Sequence, residues 1–133
     1  MKLTRRSEYA LLALIHLARA EGEGYVAVSA IAEAQVLPSK FLEQLLMALK
    51  RAGLVRSQKG PHGGYRLGRP ASKITLAEVV RLLDGALAPT ESVSTYFYES
   101  TPVEREKKLL RVFKEIRDFV STKLEKTTLA DVA

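Results

Sequence analysis

Cysteine and tryptophan are both absent from this chain of 133 residues. Without thiols there can be no disulfide, no thiol nucleophile, no zinc ribbon and no cysteine-ligated cluster. Long apolar runs are missing too. None approaches the ~18–20 residues that span a bilayer, and the opening MKLTRRSEY carries charges that argue against a secretory signal. A soluble, cytoplasmic protein with no membrane partner is the expectation. Histidine occurs only as His16 and His62. Two isolated imidazoles make no metal site, and His16 within an apolar helix is expected to be packed. No base stands beside a nucleophile, so neither a metal, a cofactor nor an enzymatic activity is expected.

What is present suits one packed domain. Hydrophobic residues make up 47% and charged residues 27% of the chain, enough to bury a core. The net charge of +6 is unevenly spread. Residues 1–70 hold 11 Lys and Arg against 5 Asp and Glu, whereas residues 71–133 hold 10 of each. All of the excess positive charge therefore lies in the first half, which points to a polyanionic partner for that half.

The pattern along the chain is mainly helical. Residues 4–20 carry a broad apolar face at spacings of three and four, entered through Arg5, Arg6 and Ser7 and ended by EGEG at 21–24. Tyr25–Val28 reads as a brief strand, and 29–35 as a short helix with Ser29 near its start. In VLPSKFLEQLLMALKRAGLV, Pro38 suits the first helical position and Gly53 the residue past the last. Between them Phe41, Leu42, Leu45, Leu46 and Leu49 form a core stripe, opposed by Lys40, Glu43, Gln44, Met47 and Arg51. A short helix followed by a longer, better-delimited one reads as a helix-turn-helix.

LVRSQ at 54–58 and YRLGR at 65–69 alternate apolar and polar residues on either side of KGPHGG, the signature of a β-hairpin. A phosphate-cradling nucleotide loop would need glycines between a strand and a helix, and a Lys followed by Ser or Thr. This stretch has neither. A helix-turn-helix followed by a hairpin is a winged helix, with KGPHGG at the tip of the wing. Thr75 and Glu78 form a capping-box pattern that opens a helix over 75–84, with Gly85 as its stop. Residues 86–100 lack helical periodicity. Thr101 and Glu104 repeat the capping-box pattern before a helix that runs to about 125, and Thr128 with Asp131 forms a last cap. Leu109, Phe113, Ile116 and Val120, spaced four, three, four, make the seam of a helix that packs on another.

Arg56, Lys59, Arg66 and Arg69 crowd the hairpin, where phosphates are held by such side chains and by backbone N–H groups that glycine leaves uncovered. Gly63 and His62 lie at its tip. Arg5 and Arg6 sit at a helix start, where the backbone also favours a phosphate. An exposed helix face means little alone. Between a helix-turn-helix and a basic wing, however, Lys40 and Gln44 can read guanine and adenine edges and Glu43 can accept from cytosine. Double-stranded DNA is the expected partner. A protein–protein adaptor that uses a winged helix without DNA is the alternative.

These residues resemble the Rrf-two family of bacterial winged-helix transcription regulators, whose best-known members are an iron–sulfur cluster regulator and a cysteine-metabolism repressor. The resemblance is carried by MKLTRRSEYALLAL, by SAIAEAQVLPSKFLEQLLMALKRAGLVRSQKGPHGGYRLGRP, by ITLAEVVRLLDG and by TTLADV. It implies a homodimer on a partly palindromic operator, joined through the long C-terminal helix. It also implies base reading from Ser39, Lys40, Glu43 and Lys59, with Gln44 close by. Pro38, Lys40 and His62 depart from the commoner small polar residues or Gly. Many members hold an iron–sulfur cluster on three cysteines between the fourth and the long helix, where this chain has SVSTYFYESTPVEREK. The resemblance thus implies a cysteine-free branch that answers to a partner protein or a small-molecule effector. Tyr96, Phe97 and Tyr98 form an apolar patch with hydroxyl handles for such an effector, or pack the dimer. The expected division is a DNA-binding domain at 1–85, a candidate sensor loop at 86–101, and a dimerisation helix with tail at 102–133.

Overall fold

Helix α1 (Arg5–Arg19) begins at Thr4, whose hydroxyl accepts from the Ser7 N–H at 3.3 Å. Its inward face combines Ala10 and Ala13 with Leu14 and Leu17, all buried. The small residues let neighbouring helices approach while the leucines fill the space between them. The computed structural model describes all residues 1–133.

Helix α2 (Val28–Gln35) starts from Ala27 without a side-chain cap, so Ser29 lies inside its first turn. Val36 then takes a left-handed conformation at φ 56°, an uncommon state for a β-branched residue. It turns the chain sharply into α3 (Ser39–Arg51). Pro38 caps α3 from just outside, one position earlier than its sequence context suggests. Leu42, Leu45, Leu46 and Leu49 are buried, and the half-buried Phe41 meets Tyr9 edge-on at 5.5 Å.

Strands β1 (Val55–Gln58) and β2 (Gly64–Leu67) pair antiparallel, with Val55 opposite Leu67 and Arg56 opposite Arg66. The expected strand at 25–28 is reduced to one bridge between Val26 and Tyr65, closed by hydrogen bonds of 2.7 and 2.8 Å. Val28 has already entered α2, which leaves no room for a longer strand.

Helix α4 (Leu76–Asp84) is capped by the Thr75 hydroxyl on the Glu78 N–H at 3.1 Å. The Glu78 carboxylate does not close the expected box, because it pairs with Arg69 instead. Thr101 and Glu104 likewise form no cap: residues 102–105 make one 3-10 turn, and α5 (Lys107–Lys126) starts after it. Glu104 is drawn away by Tyr98 and Ser100, which donate to it at 2.6 and 2.9 Å.

The stretch 86–101 is irregular but anchored. Leu87, Ala88, Ser92, Val93 and Ser94 are buried, and Arg117 of α5 donates to the Val93 carbonyl at 2.9 Å. The tail returns to the first half of the chain. Thr128 and Asp131 form a complete capping box on α6 (Leu129–Val132), and Leu129 is fully buried in the cluster that holds Leu14, Leu46 and Leu54. Backbone bonds from Leu76 to Thr127 and from Leu129 to Ile74, both 2.9 Å, clasp the tail to the start of α4. The tail thus completes the core of the winged helix, although in sequence it follows the long helix. No helix is long and apolar enough to cross a membrane.

Candidate nucleic-acid interface

The core stripe of α3 determines what its other face does. Because Leu42, Leu45, Leu46 and Leu49 point inward, Lys40, Glu43, Gln44, Met47 and Arg51 are all exposed along one side, with Ser39 exposed at the first turn. The start of α3 is further lifted by the Val36 turn, which leaves Pro38 to Lys40 in solvent. Such a helix end can enter a major groove, where Lys, Gln and Glu distinguish base edges.

The wing stands beside this helix. Met47, Lys50 and Arg51 of α3 share a groove with Ser57, Gln58, Lys59 and Tyr65 of the hairpin. The KGPHGG tip needs glycine at 60 for its positive φ of 103°, and at 63 and 64 because the backbone is crowded there. A Cβ on Gly63 would overlap the Gln58 carbonyl, and one on Gly64 would overlap the Val26 carbonyl. The Gly63 N–H is already donated to the Gly60 carbonyl at 3.0 Å. Its glycine is therefore accounted for by the turn, not by an amide left open to phosphate. Lys59 and His62 are exposed at the tip.

The four hairpin bases are not equivalent. Arg56 and Arg66 are exposed, lie opposite each other on the ribbon and have no carboxylate partner. Arg66 lies over the Tyr25 ring at 4.6 Å. Arg69 is engaged differently: its guanidinium pairs with Glu78 and reaches the Lys73 carbonyl at 3.4 Å. Its sequence neighbourhood suggests a phosphate ligand, while its contacts tie the wing to α4.

At the start of α1, Arg5 and Arg6 are exposed as expected, but the helix end already holds an anion. Asp84, the last residue of α4, accepts from the Thr4 N–H at 3.0 Å and from its hydroxyl at 2.6 Å. Slight burial works against the charged carboxylate. The two Thr4 hydrogen bonds, Ser7 and the field of Arg6 outweigh it and hold Asp84 below its ordinary value. His16 is half-buried on α1.

Tyr96, Phe97 and Tyr98 lie on the surface, 69%, 44% and 59% exposed, so they pack no core within this chain. Arg81 lies over the Tyr96 ring at 4.8 Å and also pairs with Glu125. The Glu104 carboxylate that accepts from Tyr98 raises the phenol's pKa and is itself lowered by that bond. On α5, Leu109 and Ile116 are exposed while Phe113 and Val120 turn partly inward. The apolar strip continues instead through Val112 and Phe119, three and ten residues on from Leu109. Those two positions, Tyr25 and Asp84 were not apparent from sequence. A 3-4-3 spacing at 109, 112, 116 and 119 was available for the strip, whereas nothing local marks Tyr25 or Asp84.

Comparison with known proteins agrees with this architecture. The family model Rrf2, described as an iron-dependent transcriptional regulator, matches residues 3–133. The transcriptional regulator CymR of Bacillus subtilis is 37% identical over 133 residues, covering 100% of this chain and 90% of that protein. The regulator IscR of Cereibacter sphaeroides is 40% identical over 86 residues, covering 63% of this chain and 56% of that protein. Among solved structures, CymR, titled the global cysteine regulator of B. subtilis, superposes with a TM-score of 0.81 at 35% identity, over 100% of this chain and 96% of that one. IscR of T. potens gives 0.71 at 31%, over 99% and 85%.

The family description includes iron, so the donors present matter. An iron–sulfur cluster needs thiolate or, in some cases, imidazole ligands. Residues 86–101 offer only hydroxyls and the carboxylates of Glu91 and Glu99, and Ser92 and Thr101 are bonded to each other. No three His, Cys, Asp or Glu side chains converge anywhere in the chain. These residues do not fit such a cluster. Its relatives are transcriptional regulators and not enzymes, and on sequence, fold and the exposed helix-turn-helix face this chain belongs to the Rrf2 family of winged helix-turn-helix transcriptional regulators.

Proposed function

We propose that this regulator is a homodimeric repressor that binds a partly palindromic operator in double-stranded DNA and works without an iron–sulfur cluster. The observation that carries this is the exposed, polar face of α3 set directly against a basic hairpin. In this reading Ser39, Lys40, Glu43 and Gln44 meet base edges in the major groove, Lys59 and His62 reach from the wing tip, and Arg5, Arg6, Arg56 and Arg66 hold phosphates. The exposed strip on α5 joins two copies, which sets the half-sites about one helical turn apart, or a multiple of it. Residues 1–85, with the tail that completes their core, form the DNA-binding unit. Tyr96, Phe97 and Tyr98 receive a partner protein or a small organic effector.

The test uses duplexes selected from a random-sequence pool by the wild-type protein. Glu43→Ala should alter preference at one base position by about 1–3 kcal/mol while binding random duplex as before. Equal losses on selected and random DNA would remove Glu43 from the readers. A protected region containing one unpaired half-site would remove the dimer.

A further inference from the structure

The hairpin has two faces, and only one looks toward α3. The inner face carries the buried Val55 and, through Ser57 and Tyr65, borders the groove with Met47 and Arg51, which Gln58 at the strand end also reaches. Side chains alternate along a strand, so Arg56 and Arg66 project from the other face. The single bridge between Val26 and Tyr65 sets Tyr25 beside Arg66 on that same face. The result is a lateral row across the ribbon: Tyr25, Arg66, Arg56.

Two features of this row are unusual. Like charges directly opposite on paired strands destabilise a sheet, yet Arg56 and Arg66 face each other and neither makes an ion pair; Glu21, which lines a recess with Arg66, accepts from the Ala71 N–H instead. The neighbouring arginine Arg69, by contrast, is neutralised by Glu78. Secondly, the half-buried Tyr25 ring lies 4.6 Å from the Arg66 guanidinium. An aromatic face restrains the guanidinium plane and limits the freedom it must lose on binding. Two unneutralised arginines, one of them held in place, form a site prepared for an anion.

We propose that Tyr25, Arg66 and Arg56 form a phosphate clamp on the face of the wing turned away from α3, with Tyr25 as the positioning residue for Arg66. The clamp rests on the DNA-binding reading above and extends it. The wing does not only lean toward the recognised groove; its outer face holds the DNA backbone beyond the bases that α3 reads. The ligand is a backbone phosphate and not a base, so the clamp adds affinity on every sequence and carries no preference.

The experiment compares wild type, Tyr25→Phe, Tyr25→Leu and Arg66→Lys on the selected duplex and on a random duplex of equal length, across a salt series. Tyr25→Phe keeps the ring and should bind like wild type. Tyr25→Leu should lose about threefold to tenfold on both duplexes alike, with a shallower salt dependence by about one phosphate. Arg66→Lys alters only an exposed side chain, so it reports even if Tyr25→Leu folds poorly. It keeps the charge but loses the stacked plane, and should fall between wild type and Tyr25→Leu. Phosphate-ethylation interference should show the outermost phosphates becoming indifferent in Tyr25→Leu, with those next to α3 unchanged. Wild-type affinity and salt slope in both Tyr25→Leu and Arg66→Lys would overturn the clamp, as would a Tyr25→Phe defect equal to that of Tyr25→Leu. Failure of the wider reading looks different: the wild-type protein itself would bind neither duplex.

Discussion

The helices α3 and α5 are both amphipathic, but they relate to the core in opposite ways. In thirteen residues α3 buries four leucines, while α5 buries nothing in twenty. Burying a leucine stabilises by roughly 1.5–3 kcal/mol, so α3 is held by its own domain. Helix α5 is held along one side by Leu124 near Ala77 and Val80, by Arg117 on Val93 and by the Arg81–Glu125 pair. Its other side leaves Leu109, Val112, Ile116 and Phe119 in solvent, with Phe119 76% exposed. The lesson is that exposure means different things on the two helices. On α3 the exposed face is polar and chemically suited to base edges. On α5 it is apolar, and contiguous apolar surface is the mark of an interaction site.

This contrast can be broken most strongly in the core. Leu46→Ala removes a fully buried side chain shared by α1 and α3, and should cost about 2–5 kcal/mol in urea unfolding. Ile116→Ala should cost far less in dilute protein, and a comparable loss would mean that α5 is as much part of the core as α3. Next in size is Phe119→Asp. Sedimentation should then show monomers, and affinity for a two-half-site duplex should fall by about a hundredfold or more, since the second half-site no longer binds as a tethered partner. A dimer that persisted would place the interface elsewhere.

The smallest effect sharpens the comparison at the junction between the two halves. Asp84 fastens the end of α4 to the start of α1, and its carboxylate is held below its ordinary value. A lowered native pKa contributes stability above the unfolded pKa of ~3.9, and that contribution disappears as pH falls through the native value. Asp84→Asn should therefore be less stable than wild type by about 0.3–1 kcal/mol at neutral pH, and the two should converge below about pH 4. A difference that stayed constant to low pH would assign the effect to packing and not to charge.

Local sequence carried the winged helix because its signals are short-range. The α3 stripe, the Gly-rich tip, the Thr75 cap and the Thr128–Asp131 box each involve residues within a few positions of one another, where helix period, turn geometry and capping act. The face of α3 proposed to meet bases was legible for the same reason: once Leu42 and Leu46 are inside, Glu43 and Gln44 must be outside. The capping patterns at Glu78 and Glu104 misled in one respect. Each carboxylate had a competing partner, Arg69 in one case and Tyr98 in the other, that pattern alone does not weigh.

Sequence by itself therefore determined the order of the main helices and of the hairpin, the lack of thiolate ligands for a cluster and the concentration of positive charge in residues 1–70. Tertiary structure alone decided which charges are paired within the chain. Arg66 and Arg69 stand three residues apart in one hairpin motif, yet one rests on Tyr25 and the other is neutralised by Glu78. It also decided that Leu129 belongs to the core of α1 and α3, and that Asp84 already occupies the end of α1. All of these are pairings across 9 to 80 positions or more. They arise only when folding has brought distant segments within hydrogen-bond or van der Waals reach, and no local spacing encodes them.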